Sequence, residues 1–182
     1  MTTIDTLIDR NRSFAKRGIH ADLELFPKEK TLVIGCVDPR VDPAVVLGLE
    51  LGDALIIRNI AGRFTPDTFQ TMAALRLIAQ AENVTPGPGW NLILLQHTDC
   101  GITRLGDQPG LLANVLGVVP ESLASEAIDD PAEAVSADVA AIKANPFLPA
   151  EFLVSGLVYD VATGLVEVVV PPTPLRPVES AV

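Results

Sequence analysis

Short runs of apolar and β-branched residues alternate along the chain with longer segments of mixed polarity, and this alternation predicts strands joined by helices. Five strands are predicted, at residues 31–35, 54–58, 91–96, 152–159 and 165–170. The first three are apolar throughout, as parallel strands covered on both faces tend to be. The last two are separated by a turn-rich segment, 160–164, which predicts a hairpin and therefore an antiparallel edge.

Helices are predicted at residues 4–16, 43–49, 66–80 and 131–144. Three of them begin at a proline that lies next to an aspartate, which is a signal for the start of a helix. The fold class is therefore α/β, with a mostly parallel central sheet of four to five strands, flanking helices and an antiparallel edge strand.

The chain shows no internal repeat and no boundary that would divide it, so we expect a single α/β domain over residues 1–170. Residues 171–182 begin with a proline-rich stretch. Because proline lacks the N–H group that a sheet ladder needs, we expect this segment to be an extended surface tail.

Composition narrows the classes of function. The chain has 182 residues, of which 48% are hydrophobic and 20% charged, as in an ordinary globular protein. Its 13 basic and 23 acidic residues give a net charge of −10, which argues against a nucleic-acid partner. The N-terminus carries Asp5, Asp9 and Arg10 where a signal peptide would be apolar, and no apolar run is long enough for a membrane helix. We therefore expect a cytoplasmic protein, in which the two cysteines are free core thiols or metal ligands rather than a disulfide.

Polar and metal-ligating residues follow two of the apolar strands. Cys36, Asp38 and Arg40 follow the first strand, and His97 and Cys100 follow the third. Ligands bind at the carboxyl ends of strands in open α/β sheets, so neighbouring strands would bring the two thiols and the imidazole together. Three such donors leave a fourth position open on zinc, as catalytic sites do. In an extended segment Asp38 and Arg40 would point to the same side, where the guanidinium would keep the carboxylate ionised.

Each of these residues has a plainer interpretation when it is taken alone. A cysteine at a strand end is commonly a small buried hydrophobe, and an Asp-x-Arg segment is commonly a solvated surface turn. The other histidine, His20, lies between a predicted helix and a proline loop, and we interpret it as a surface residue. The combination of all five residues at the ends of two apolar strands favours a metal site.

The pattern resembles the β-class carbonic anhydrase family, in which C-x-D-x-R is followed later in the chain by H-x-x-C. The resemblance runs from Asn11-Arg-Ser-Phe14, through Arg58-Asn-Ile-Ala-Gly62, to Gly156-Leu-Val-Tyr-Asp160, and so covers nearly the whole chain. The chain is similar to the compact bacterial branch of that family, a branch that also includes carbonyl sulfide hydrolase-like enzymes. Proline at position 39 is a departure, because the family most often has serine there.

The resemblance implies a zinc lyase, a carbonate dehydratase, with one Zn²⁺ per chain held by Cys36, His97 and Cys100. Zinc-bound hydroxide would attack carbon dioxide and give bicarbonate. Asp38, oriented by Arg40, would accept a hydrogen bond from the hydroxide and help to orient or deprotonate the water, or would swing onto zinc in an inactive closed state. The resemblance also implies a homodimer or homotetramer in which the N-terminal helix reaches across to the partner.

Other functions stay open at this point. A carbonyl sulfide or carbon disulfide hydrolase would share the zinc ligands and the Asp/Arg pair, and the shape of the pocket would decide between the substrates. A non-catalytic zinc or redox-sensing protein would use Cys36 and Cys100 as switchable thiols, but it would not need an anionic base beside the metal. A dinucleotide-binding domain is disfavoured because G-x-G-x-x-G is absent after the first strand.

Overall fold

Five strands form one sheet in the order β2-β1-β3-β4-β5 in the computed structural model, which describes residues 1–177. They are β1 (Thr31–Cys36), β2 (Ala54–Asn59), β3 (Asn91–His97), β4 (Leu153–Tyr159) and β5 (Val166–Pro174). The first four strands are mutually parallel, and β5 pairs antiparallel with β4. The predicted α/β class, with a mostly parallel sheet and an antiparallel edge, is confirmed.

Five α-helices connect and cover the strands: α1 (Thr3–Ala15), α2 (Pro43–Val46), α3 (Pro66–Ala81), α4 (Pro109–Leu116) and α5 (Pro131–Ala144). Short 3₁₀ turns lie at Ile60–Gly62, Gly101–Leu105 and Pro120–Ser125. Helix α2 ends three residues before its predicted end at 49, because Gly48 takes a left-handed φ of 65°.

Helix α4 was absent from the predicted elements, although both of its ends carry a signal. Pro109 occupies the first turn, and Gly117 follows the last residue with a left-handed φ of 70°. The helix has only eight residues, which is shorter than the window in which a helical repeat of apolar residues can be recognised.

The core lies between the sheet and its helices. Every residue of β1 is buried, and Val135, Val139 and Ile142 of α5 pack into the same cluster as Leu92 and Leu94. A separate apolar cavity of about 440 Å³ lies between α3 and the amino ends of the strands. The polar residues that follow β1 and β3 lie at the opposite, carboxyl end of the sheet.

Strand β5 continues to Pro174, four residues beyond its predicted end and into the segment predicted to be a tail. Pro171 and Pro172 fit there because β5 is an edge strand, where one side of the backbone needs no partner. Leu175 is buried and donates its N–H to the carbonyl of Phe152. Residues 178–182 of the predicted tail lie outside the described residues, and the division at 170 stays a prediction.

None of the helices within residues 1–177 has both the length and the apolar character needed to cross a membrane.

Candidate metal centre

Two adjacent strands bring the predicted ligands together. Strands β1 and β3 pair directly, with Gly35 opposite Leu95, so both strands reach the same edge of the sheet. Cys36 is the last residue of β1 and His97 is the last residue of β3. Cys100 precedes the 3₁₀ turn that follows β3, which returns its side chain to the same edge. The parallel sheet order therefore converts two distant sequence motifs into one cluster.

The geometry of this cluster suits a metal ion. The Sγ atoms of Cys36 and Cys100 are 3.9 Å apart, and one donor atom from each of the three residues lies within 4.8 Å of the others. All three side chains are buried. Thiolate and imidazole donors of this kind suit zinc.

The imidazole of His97 supports this assignment. Its Nδ1 lies 2.9 Å from the carbonyl oxygen of Thr98, which can only accept, so Nδ1 donates a hydrogen bond and Nε2 is the ring nitrogen left to coordinate a metal ion. Within residues 1–177, Nε2 of His97 is the one fully buried side-chain nitrogen or oxygen without a hydrogen-bond partner. A buried polar nitrogen without a partner is costly, and a metal ion would satisfy it.

The two thiols differ in their readiness to bind a cation. A hydrogen bond with Cys100 is the main reason that the pKa of Cys36 is lowered, and the neighbouring His97 ring and the Asp38 N–H, 3.4 Å from Cys36 Sγ, add to the effect against the opposing influence of burial. The same pair raises the pKa of Cys100, and burial adds to that rise. The first proton of the pair is therefore lost more easily than the second, and metal binding would displace a proton that remains.

Asp38 and Arg40 form a close ion pair beside the cluster, with Pro39 between them. Arg40 Nη2 donates to Asp38 Oδ2 at 2.7 Å, and Arg40 Nε donates to Oδ1 at 3.1 Å. These hydrogen bonds lower the pKa of Asp38 to about 2. The carboxylate is thus ionised and its direction is set by the guanidinium.

Arg58 holds the backbone of the same loop, and sequence reasoning had named it only as part of a family-like segment. Its Nε donates to the carbonyl of Cys36 and its Nη2 to the carbonyl of Asp38, both at 2.8 Å. Its Nη1 pairs with Asp42 at 2.6 Å, and Asp42 also caps α2 through the N–H of Ala44. Arg58 therefore ties a predicted ligand and the predicted base to strand β2.

A small cavity of about 30 Å³ borders His97 and Cys100, and Arg63 lines its far side. Arg63 is buried and donates to both carboxylate oxygens of Asp138 on α5, at 2.8 and 3.0 Å, and to Glu126. Sequence reasoning missed this group, because nothing local marks an arginine as buried when its partner is distant in the chain.

Comparison with known proteins identifies relatives over the part of the chain that contains these residues. The family model for carbonic anhydrase matches residues 31–166, a range that contains all five predicted site residues. Beta-carbonic anhydrase 1 of Mycobacterium tuberculosis is 30% identical over 174 residues, which cover 94% of this chain and 100% of that protein.

Solved structures show a similar fold. A carbonic anhydrase from Streptococcus mutans has a TM-score of 0.68 and 31% identity, over 93% of this chain and 98% of that one. The apo form of a carbon disulfide hydrolase has a TM-score of 0.54 and 21% identity, over 90% of this chain and 88% of that one. This second likeness is one of fold alone.

Proposed function

This chain belongs to the β-carbonic anhydrase family, as its motifs indicated, and we propose that it catalyses the reversible hydration of carbon dioxide to bicarbonate at a zinc ion. One observation carries the proposal: two thiols and an unsatisfied imidazole nitrogen converge, buried, at the ends of adjacent strands. Cys36, His97 and Cys100 would hold the zinc. Zinc bound there would act as a Lewis acid and lower the pKa of a water ligand, which makes that water a nucleophile near neutral pH.

The protein's own contribution is to direct that water. Asp38 is ionised, and Arg40 holds both of its oxygens: the backbone N–H and Nε of Arg40 donate to Oδ1, and its Nη2 donates to Oδ2 at 2.7 Å with Nε farther away at 3.3 Å. Asp38 would accept a hydrogen bond from the water and orient it toward carbon dioxide. Arg40 would hold the carboxylate in that direction, and Arg58 would fix the loop that carries both residues.

A sulfur substrate is the second candidate. Carbonyl sulfide and carbon disulfide present a linear, electrophilic carbon like that of carbon dioxide, and a carbon disulfide hydrolase shares this fold. The ligand set would serve both reactions, so the pocket would have to discriminate between the substrates. The family favours hydration over this candidate and over a non-catalytic zinc or redox-sensing role.

The experiment is a substrate panel on the purified, zinc-loaded protein. Carbon dioxide hydration is followed by stopped-flow with a pH indicator, and sulfide release is followed with carbonyl sulfide and carbon disulfide. We expect hydration without sulfide release. Sulfide release without hydration would establish the second candidate instead.

Two variants test the residues within the same panel. We expect Cys36→Ser to lose bound zinc, measured by elemental analysis, and to lose hydration with it. We expect Asp38→Asn to keep its zinc and to lower kcat about a hundredfold, the usual scale for a proton-accepting group. Retained zinc in Cys36→Ser would refute the ligand assignment, and a parental rate in Asp38→Asn would refute the role of Asp38.

Oligomeric assembly is part of the proposal. Helix α1 has no buried residue, and its apolar side chains Ile4, Leu7 and Ile8 are largely exposed. We propose that the chain forms a homodimer or homotetramer in which a second copy covers this helix face.

A further inference from the structure

Arg40 has a second anchor besides Asp38. Its Nη1 donates to Asp99 Oδ2 at 2.9 Å, and its Nη2 donates to the backbone carbonyl of Asp99, also at 2.9 Å. The other carboxylate oxygen of Asp99 accepts from Arg104 at 2.8 Å. The guanidinium therefore spans two aspartates, one on the loop after β1 and one on the loop after β3.

We propose that Asp99 is a positioning residue, which sets the direction of the Asp38 carboxylate by anchoring Arg40 to the segment that carries His97 and Cys100. The inference rests on the proposed function of Asp38. Both carboxylate oxygens of Asp99 are taken up by arginines, Oδ2 by Arg40 and Oδ1 by Arg104, so Asp99 acts through Arg40.

The placement of Asp99 is the main argument. Asp99 lies between His97 and Cys100 in the chain, whereas Asp38 and Arg40 follow the other ligand, Cys36. Arg58 ties the backbone of the β1 loop to β2, but with Asp38 as its sole anchor the Arg40 side chain would leave the side-chain pair free to move relative to the ligands of β3. The contacts with Asp99 remove that freedom and fix the pair relative to the ligands of β3.

Because the side chains of Arg40 and Asp99 are exposed, an effect on catalysis can be distinguished from an effect on stability. The side chains of Arg40 and Asp99 are 47% and 49% exposed, and ion pairs that are this exposed contribute little to folding. Loss of the Asp99 carboxylate should therefore change catalysis more than it changes the melting temperature. Asp99 also takes a left-handed φ of 51°, which asparagine and glycine tolerate, so these two replacements avoid backbone strain.

The test compares Asp99→Gly and Asp99→Asn with the parent protein in the carbon dioxide hydration assay. We expect Asp99→Gly to lower kcat about tenfold with KM within about twofold, because the lost contact acts on the reacting group. Asp99→Asn keeps a hydrogen-bond acceptor, so its kcat should lie between that of Asp99→Gly and that of the parent protein. Zinc content should be unchanged, and Tm should shift by less than about 4 °C. Asp107→Asn, which removes one exposed acid from the same loop, is the matched control and should keep the parental rate.

A double-mutant cycle distinguishes positioning from a general defect. If Asp99 acts through Asp38, then Asp99→Gly should have no further effect on the rate of Asp38→Asn. An equal fold-loss in both backgrounds would overturn the inference. A parental kcat in Asp99→Gly, while Asp38→Asn is slow, would overturn this inference and leave the proposed function in place. A parental rate in Asp38→Asn would overturn both.

A second readout needs no metal and no turnover. The Nε–H proton of Arg40 can be followed by ¹H–¹⁵N NMR in the metal-free protein and assigned by its loss in Arg40→Lys. We expect its solvent exchange to be at least about tenfold faster in Asp99→Gly than in the parent, because Nη1 of the guanidinium loses its carboxylate partner and only the contact of Nη2 with the backbone carbonyl of residue 99 remains. Unchanged exchange would show that the Asp99 carboxylate does not hold Arg40 and would overturn the inference.

Discussion

Gly62 packs against the strand that ends in Cys36. A Cβ atom at this position would lie 2.8 Å from both the backbone nitrogen of Cys36 and the carbonyl carbon of Gly35, and its φ is 61°. We expect Gly62→Ala to lower the free energy of unfolding by more than about 3 kcal/mol, because it adds a backbone clash to the cost of a left-handed residue. Urea unfolding measures the loss, and elemental analysis should show reduced zinc.

The matched control for Gly62 is Gly48, which has a similar φ of 65° but no other atom within 4 Å of the place that a Cβ would occupy. We expect Gly48→Ala to cost only about 1–2 kcal/mol, the cost of the left-handed conformation alone. Equal losses in the two variants would mean that the contact with the β1 backbone is unimportant.

Single residues differ in how far the sequence could predict them. The two cysteines, His97, Asp38 and Arg40 were visible because they follow apolar strands in spaced motifs. Asp99 lies between two predicted ligands in the sequence, but its role depends on a contact with Arg40, which lies in another loop. Contacts between distant loops leave no local signal, so they emerge only when the sheet order is known.

A buried ion pair between Asp138 and Arg63 connects helix α5 to the segment that follows β2. Asp138 accepts two hydrogen bonds from Arg63 and one from the N–H of Phe64, and both charged side chains are about 5% exposed. We expect Asp138→Ala to lower the free energy of unfolding by about 3–5 kcal/mol, because it leaves a buried guanidinium without its main partner. Urea unfolding at one fixed protein concentration measures the change.

Two further variants test whether the loss of stability in Asp138→Ala comes from a buried charge without its partner. Glu133→Gln removes an exposed acid from the first turn of the same helix and should cost less than about 1 kcal/mol. Arg63→Met combined with Asp138→Leu removes both charges and should recover most of the loss caused by Asp138→Ala. A double variant as unstable as the single one would argue that the pair supplies specific geometry rather than charge balance.

At the level of secondary-structure elements, the periodicity of apolar residues and the positions of helix- and strand-breaking residues predicted most of the fold. All five strands and four helices were placed within a few residues, because β-branched runs and Asp-Pro starts are local features. Helix α4 was missed because its eight residues are too few for a helical repeat of apolar positions to be recognised. The end of β5 was predicted too early because the prolines after residue 170 were taken to end the strand, although an edge strand tolerates them on its unpaired side.

At the scale of the whole molecule, the described chain leaves one helix without a partner. Ile4, Leu7 and Ile8 of α1 are 66%, 49% and 47% exposed, although they lie on one face of the helix. Each such side chain contributes about 1.5–3 kcal/mol when it is fully buried. In a two-fold dimer every contact occurs twice, so a few residues on α1 can decide the assembly.

We therefore expect Leu7→Asp combined with Ile8→Asp to shift the protein from oligomer to monomer in sedimentation velocity at micromolar concentration. Ser13→Asp is the matched control, because Ser13 is exposed on the opposite face of α1 and its replacement adds a charge there. It should sediment as the parent does. If the Leu7/Ile8 variant also kept the parental sedimentation coefficient, α1 would lie outside the interface, and the acidic surface or the β5 edge would have to provide the contact instead.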